Sequence, residues 1–292
     1  MPLLTLLLTL TLLLFTTPVI AGDHNELFKV EVVGKGQPML LIPGFVSDQR
    51  IWDDVVEPLA GKYQIHRIRI AGFGTTPAVE SPSLASVKQG ILDYIGTQGL
   101  QNPAVVGHSL GGFMGLWLAT SAPEKIGPVV SVDGLPFIGP LFSRDPNISA
   151  DSLMPQAVYL RSLYQGLDAK GMAGMAANGI NRQATSELHQ QHVIDMASQS
   201  DPDTAADAIF TLMTTDLRAK LGRIQSDIII LGASGGFADE QSKQYMAALY
   251  QQQLVTAKRG HVEMNKNSRH FIMYDQPEWL VSQLDEFLQG AL

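Results

Sequence analysis

The stretch from Pro103 to Met114, PAVVGHSLGGFM, decides the fold. A short apolar run ends in Gly-x-Ser-x-Gly, and a run compatible with a helix follows it at once. This order of strand, turn and helix is the context that a nucleophile elbow requires. The turn is too tight for side chains two residues on either side of Ser109, which gives Gly107 and Gly111 a steric role. The stretch predicts a serine nucleophile; the alternative is a glycine-rich turn that opens an ordinary helix.

Strands and helices alternate on both sides of this turn. Met39–Ile42 and Val129–Val132 are continuous apolar runs, typical of strands buried on both faces. Strict alternation indicates parallel pairing with right-handed crossovers. The later expected elements are a strand at Ile228–Leu231, a helix over Asp239–Tyr250, a last strand at Leu254–Val255 and a closing helix over Pro277–Leu288.

Residues 137–221 interrupt this alternation, because they contain no convincing buried strand. The segment is rich in Met, Ala and Gln and carries helical patterns over Leu153–Leu167, Ala169–Ala177, Ser186–Ser198 and Ala205–Leu217. Such an insertion in an α/β sheet predicts a helical cap over the active site. The expected organisation is a core of residues 22–136 and 222–292 with a cap of residues 137–221.

The composition fits one large α/β domain. The chain has 292 residues, of which 45% are hydrophobic and 16% charged, and a net charge of −8. The acidic balance argues against nucleic acid as a partner. Because the chain has no cysteine, thiolate catalysis, disulfides and cysteine-based zinc sites are excluded.

Residues 1–21 contain no charged side chain, and the run from Val19 to Ala21 fits the small-residue rule for signal cleavage. We expect an export signal cut before Gly22 and a periplasmic or secreted protein. No Lys or Arg stands near the start, so a retained membrane anchor is the alternative. The apolar run Leu3–Phe15 is short for a membrane-spanning helix. Membrane contact is therefore expected only if this segment is retained.

Four stretches resemble the α/β-hydrolase family. They are Leu41–Phe45, similar to the family's oxyanion loop but with Pro43 where histidine is usual, the turn Gly72–Gly74, the elbow Gly107–Gly112, and His270–Glu278, similar to the histidine loop. They occur in the family's order across nearly all of the chain after residue 21. The resemblance implies an α/β-hydrolase fold: a mostly parallel sheet flanked by helices, with an inserted helical cap.

The resemblance also indicates the general base. In the family, the catalytic histidine precedes an acidic residue by five positions and a proline by seven. His270 has Asp275 and Pro277 at these offsets, whereas His261 has neither. We therefore expect His270 to activate Ser109.

The remaining histidines fit other roles. His108 is expected to pack beside the elbow. His189 and His192 lie three apart in the cap, but no acidic residue at ligand spacing completes a metal site. We predict no metal and no cofactor.

The acid that orients His270 has two candidates. The family most often places it after the strand that follows the cap, but Gly235 stands at that position. Asp239 comes later and also fits a helix N-cap. Asp133 ends the strand after the elbow helix, a position that some relatives, including haloalkane dehalogenases, use; it also fits a plain strand end. We favour Asp133, with Asp239 as the alternative.

Two backbone N–H groups are expected to form the oxyanion hole. One belongs to Leu110, directly after the nucleophile, and the other to Phe45, in the loop after the Met39–Ile42 strand. Pro43 has no N–H and cannot donate.

These assignments predict a serine hydrolase that cleaves an ester-type bond of a small molecule, carboxylesterase- or lactonase-like, through an acyl-enzyme on Ser109. A C–C hydrolase or a cofactor-free haloperoxidase could use the same residues, and a non-catalytic ligand-binding protein is the rival from another class. Flexible methionines of the cap are candidates for contact with an apolar substrate, unless they only pack the cap: Met154, Met172, Met175 and Met213.

Overall fold

The computed structural model describes residues 19–20 and 26–291. Within these residues, eight strands form one sheet in the order β1-β2-β4-β3-β5-β6-β7-β8. The strands are β1 (Val19–Ile20), β2 (Phe28–Gly34), β3 (Gln37–Ile42), β4 (Tyr63–Ile70), β5 (Ala104–His108), β6 (Val129–Val132), β7 (Ile228–Ala233) and β8 (Gly260–Asn265). The first two strands pair antiparallel and β2 is antiparallel to β4, whereas all pairs from β4 to β8 are parallel. The mostly parallel sheet confirms the predicted fold class.

Helices cover both faces of the sheet and fill the insertion after β6. They are α1 (Asp53–Leu59), α2 (Leu84–Thr97), α3 (Leu110–Ser121), α4 (Gly139–Ser143), α5 (Ala150–Gln165), α6 (Ala169–Ala177), α7 (Glu187–Ser198), α8 (Pro202–Thr214), α9 (Glu240–Gln253), α10 (Ile272–Asp275) and α11 (Pro277–Ala291). Short 3-10 helices span Gln49–Trp52, Ile180–Arg182 and Arg218–Arg223.

The strand residues alternate between two hydrophobic cores. Leu40 and Ile42 point into the core that contains α2, α3 and α9, while Met39 and Leu41 point into the core with α1 and α11. All four are fully buried. Because both faces are covered, β3 appears in the sequence as a continuous apolar run rather than an alternating one.

The predicted position of the last strand is wrong. Leu254 and Val255 lie in the turn after α9, and the strand is Gly260–Asn265. As β8 is the edge of the sheet, most of its side chains are at least partly exposed, so the sequence shows no apolar run there.

Helices α4 to α8 lie between β6 and β7, in the segment expected to form the cap. In this segment α5 packs against α8, and α6 packs against α7. The turn at Gly72 joins the core to α8, since Gly72 has a φ of 83° and a Cβ there would lie 2.1 Å from Thr204 Oγ1. The Gly72 carbonyl also accepts a hydrogen bond from Asp201 N at 2.7 Å. The glycine thus lets the core turn touch the cap.

The export signal predicted for residues 1–21 falls outside the described residues, except for β1, which pairs with β2. Cleavage before Gly22 stays a prediction, as does the alternative of a retained anchor. None of the described helices is long and apolar enough to cross a bilayer.

His66 of β4 is a buried histidine held by two hydrogen bonds. Its Nδ1 lies 2.7 Å from the Tyr94 hydroxyl and its Nε2 lies 3.3 Å from Gln64 Oε1. Burial lowers the pKa of His66 to about 4 and raises the pKa of Tyr94 to about 12. The tyrosine therefore donates to a neutral imidazole, which donates in turn to the glutamine oxygen.

We expect His66 to make folding pH-dependent. Below about pH 6.5 the unfolded chain binds a proton at this side chain, whereas folded His66 binds it only near pH 4, so stability falls as pH is lowered through this window. In His66→Gln, the decrease in the free energy of unfolding between these pH values should be smaller by up to about 3 kcal/mol. Urea unfolding at several pH values measures this free energy. His261→Gln, which changes an exposed histidine, is the control. A pH dependence in His66→Gln parallel to that of the wild type would contradict this account.

Candidate active site

Ser109 stands at the sharp turn between β5 and α3. Its φ is 52° and its ψ is −113°, a conformation that residues other than glycine rarely adopt. A Cβ at Gly111 would lie 2.2 Å from the Ile42 carbonyl oxygen, and one at Gly107 would lie 2.1 Å from the Gly111 backbone. Both glycines are required by close backbone approach, as the sequence pattern indicated. Ser109 is partly exposed, while His108 and Leu110 on either side of it are buried.

The structure brings Asp133 to His270. The Nδ1 atom of His270 lies 2.6 Å from Oδ2 of Asp133, and the side chain of Asp133 is 8% exposed. Asp133 follows β6, next to the strand that leads to Ser109, and His270 lies in the loop after β8. The carboxyl ends of parallel strands meet at one edge of the sheet, so three distant parts of the chain share this site.

Asp239 has a different environment. It is the N-cap of α9: its carboxylate accepts hydrogen bonds from Ser242 N at 2.7 Å and from Ser242 Oγ at 2.8 Å. These bonds lower the pKa of the exposed Asp239 carboxyl. Its carboxylate thus bonds to its own helix rather than to His270.

Two donors that the sequence reasoning missed hold the other oxygen of Asp133. Oδ1 accepts hydrogen bonds from Ala233 N and from the Tyr250 hydroxyl, each at 2.7 Å. Tyr250 shares the buried face of α9 with Met246, Leu249 and Gln253. At helical spacing, such a tyrosine looks like any core residue, so the sequence offers no signal for it.

The loop of His270 is hydrogen-bonded to the segment before α7. Phe271 N donates to the Gln183 carbonyl at 2.8 Å. The Asp275 carboxylate accepts from Thr185 N, from Thr185 Oγ1 and from Arg269 N, each at 2.8 Å. This is a physical reason for an acidic residue five positions after the histidine, since it fixes the histidine loop and the cap together.

His108 packs beneath His270. Its Nε2 lies 3.1 Å from the His270 carbonyl oxygen, and the two ring centroids are 4.5 Å apart. Burial, and then the neighbouring His270, hold the pKa of His108 well below its usual value. The ring is therefore neutral and carries its proton on Nε2, because a carbonyl oxygen can only accept. His108 thus supports the backbone of His270.

The two expected oxyanion donors are free to act. Among the described residues, the N–H groups of Leu110 and Phe45 have no hydrogen-bond acceptor. Leu110 is the first residue of α3, where N–H groups lack intrahelical partners. The loop of Phe45 lies close to the nucleophile, since a Cβ at Gly44 would be 3.4 Å from Ser109 Cβ.

Aromatic rings adjoin this loop. Phe45 meets Phe73 and the cap residue Tyr164 edge to face, with ring centroids 6.0 and 5.4 Å apart. The cap methionines differ in their surroundings. Met213 is fully buried in a cluster with Phe137 and Ile209, whereas Met154 is 39% exposed.

The remaining two methionine candidates lie on α6, with Met172 buried and Met175 partly exposed. Contact of any of the four with substrate stays a prediction.

Neither a metal site nor a paired histidine site emerges in the cap. No group of three or more metal-ligating side chains occurs in the part of the chain that the structure describes. His189 stacks on Tyr274, with ring centroids 4.4 Å apart, and its ring centroid is 6.0 Å from that of His192.

The sequence match to known families agrees with this geometry. Residues 39–283 match the model of the alpha/beta hydrolase family. The chain belongs to this family. A curated relative is the pimeloyl-[acyl-carrier protein] methyl ester esterase of Nitrosomonas europaea, 24% identical over 207 residues, which cover 69% of this chain and 78% of the relative. The hydrolase class of the enzyme follows from this membership.

Other relatives are more distant or match over a shorter segment. The putative carbamate hydrolase RutD of Azorhizobium caulinodans is 29% identical over 118 residues, 40% of this chain and 44% of the relative. The enol-lactonase of Burkholderia xenovorans has a TM-score of 0.70 at 16% identity and covers 90% of this chain and 96% of its own. An esterase of Thermogutta terrifontis has a TM-score of 0.71 at 17% identity, with coverage of 94% and 99%. These structures share the fold.

Asp133→Asn and Asp239→Asn separate the two acid candidates. We expect Asp133→Asn to lower kcat by about three to four orders of magnitude, because the amide favours the wrong tautomer of His270. Asp239→Asn should remain close to wild type, since Asn caps helices as well as Asp. Steady-state kinetics of the folded variants decide between them. A near-normal kcat for Asp133→Asn would refute this assignment.

Proposed function

We propose that the protein is a serine esterase that cleaves small to medium carboxylic esters or lactones through an acyl-enzyme on Ser109. The observation that carries the proposal is the 2.6 Å hydrogen bond between His270 Nδ1 and Asp133. It holds a base at the same edge of the sheet as a serine on a strained elbow. Fold alone would not support an activity, whereas this set of groups does.

In the first step, Ser109 Oγ attacks the carbonyl carbon while His270 takes the serine proton. The bond from Nδ1 to Asp133 leaves Nε2 of the neutral ring as the base. Asp133 then stabilises the imidazolium that forms. A serine hydroxyl needs such an adjacent base to react at neutral pH.

The developing oxyanion is held by the N–H groups of Leu110 and Phe45. Both lack an acceptor within the described chain, so they can donate without breaking an existing bond. One such donor is typically worth about 3 kcal/mol of barrier. Collapse of the tetrahedral intermediate breaks the carbonyl carbon–oxygen bond of the ester, and His270 protonates the leaving alkoxide.

Water completes the cycle. His270 removes a proton from water, and the resulting hydroxide attacks the acyl carbon of the Ser109 ester. Collapse of this intermediate breaks the bond between the acyl carbon and Ser109 Oγ, and His270 gives its proton to Oγ. The products are a carboxylic acid and an alcohol, or a single hydroxy acid from a lactone. Each step uses groups of this chain and water only.

The surroundings and the relatives favour an ester bond with an apolar acyl part. The rings of Phe45 and Tyr164, 5.4 Å apart, make the neighbourhood of the proposed oxyanion hole apolar. The relatives described above include a methyl ester esterase, an esterase and an enol-lactonase by name. These names support ester and lactone substrates over C–C cleavage or haloperoxidase chemistry.

A substrate panel tests the proposal. We expect the wild type to hydrolyse at least one p-nitrophenyl ester between acetate and octanoate or at least one simple lactone. Ser109→Ala should lose this activity. Ser121→Ala, which changes an exposed serine at the end of α3, is the matched control and should retain full activity. Release of p-nitrophenol and pH-stat titration measure the rates.

A folded wild-type protein that hydrolyses no ester and no lactone would contradict the proposal. Ligand binding without turnover would then favour the non-catalytic alternative. Activity that survives in Ser109→Ala would assign the reaction to another group.

A further inference from the structure

The carboxylate of Asp133 is bound on both oxygens. Oδ2 contacts His270 Nδ1 at 2.6 Å, and Oδ1 accepts from Ala233 N and from the Tyr250 hydroxyl at 2.7 Å each. The Ala233 donor is backbone and is fixed by strand β7. Tyr250 is therefore the one described side chain other than His270 that donates to this carboxylate.

Tyr250 reaches Asp133 from the buried face of α9. It is 3% exposed, and its hydroxyl has no other hydrogen-bond partner among the described residues. The ring passes over β7 at Gly232, where a Cβ would lie 2.8 Å from Tyr250 Cδ1. The same Cβ would lie 2.4 Å from Met264 Sδ, so the glycine leaves room for both Met264 and the Tyr250 ring beside β7.

Tyr250 can act on Asp133 only as a donor. Burial, and then the nearby Asp133 charge, hold the pKa of the Tyr250 hydroxyl well above its usual value. The hydroxyl therefore stays protonated at neutral pH. A donor to a buried carboxylate stabilises the ionised form and makes the oxygens less basic.

Asp133 also has an unusual backbone conformation. Its φ is 50°, in the region that residues other than glycine rarely adopt, and its N–H donates to the Leu231 carbonyl at 2.8 Å. The direction of the side chain is thus set on the backbone side by the Leu231 carbonyl and at its tip by Ala233 N and the Tyr250 hydroxyl. Both constraints keep Oδ2 aimed at His270.

We propose that Tyr250 is a positioning residue of the same reaction, acting through Asp133 on His270. The inference rests on the proposed function, because it assigns Tyr250 to the serine, histidine and aspartate described there. Tyr250 contacts neither the reacting atoms nor the expected oxyanion donors. Its effect should therefore appear in kcat and in the pH profile rather than in substrate affinity.

Tyr250→Phe removes only the hydroxyl. We expect kcat to fall on the order of ten-fold, as for the loss of one hydrogen bond to a charged group, with KM nearly unchanged. Without this donor the carboxylate is more basic and binds the imidazolium more strongly. The acid limb of the kcat/KM profile should therefore move to higher pH.

Tyr94→Phe is the matched control. It removes a hydroxyl that also bonds to a histidine, His66, at 2.7 Å, but at a distance from the proposed site. We expect its acid limb to coincide with that of the wild type. If Tyr250→Phe loses activity but the acid limb of its kcat/KM profile coincides with that of the wild type, the tyrosine has only a structural role and the inference fails.

A second variant tests the inference even if Tyr250→Phe does not fold. Site-specific 3-fluorotyrosine at position 250 keeps the ring and the hydroxyl but makes a stronger donor, so the acid limb should move to lower pH, opposite to the phenylalanine variant. If the acid limb of an active 3-fluorotyrosine variant does not move, the inference about Tyr250 fails while the proposed function stands. A wild type that turns over no ester or lactone overturns the proposed function, and this inference with it.

Discussion

The hydrogen bond between Asp133 and His270 connects the ends of two strands that are separated by β7 in the sheet. Because Asp133 also accepts from Ala233 N at the end of β7, the three strands β6, β7 and β8 are linked at their carboxyl ends by one carboxylate. The arrangement is possible only because these strands are parallel and end at the same edge. The position of His270 relative to Ser109 therefore depends on the register of the four neighbouring strands β5 to β8.

The cap contributes to the same geometry. Asp275, at the end of α10, accepts hydrogen bonds from Thr185 just before α7, and the core turn at Gly72 touches α8. Each contact joins the cap to a loop at the edge where Ser109 lies. The segment expected to form the cap is thus part of what holds the His270 loop in place.

Much of this architecture could be predicted from the sequence, and the reasons differ by element. The buried runs of β3 and β6 and the periodic helix α6 were predicted because hydrophobic patterning reports burial directly. The edge strand β8 was misplaced because its exposed residues carry no such pattern. Asp133 and Asp239 remained alternatives because each also fits a purely structural role, Asp133 at the end of β6 and Asp239 at the start of α9. Tyr250 could not be found, since its place on the buried face of α9 makes it look like any core residue.

The most direct test of the account is the site of covalent reaction. Intact-protein mass spectrometry after treatment with a fluorophosphonate should show one adduct, and peptide mapping should place it on Ser109. Ser109→Ala should remain unmodified, and removal of the base in His270→Gln should slow the labelling strongly. A folded wild-type protein that takes no label, or an adduct on a different residue, would contradict the central claim that Ser109 is the nucleophile.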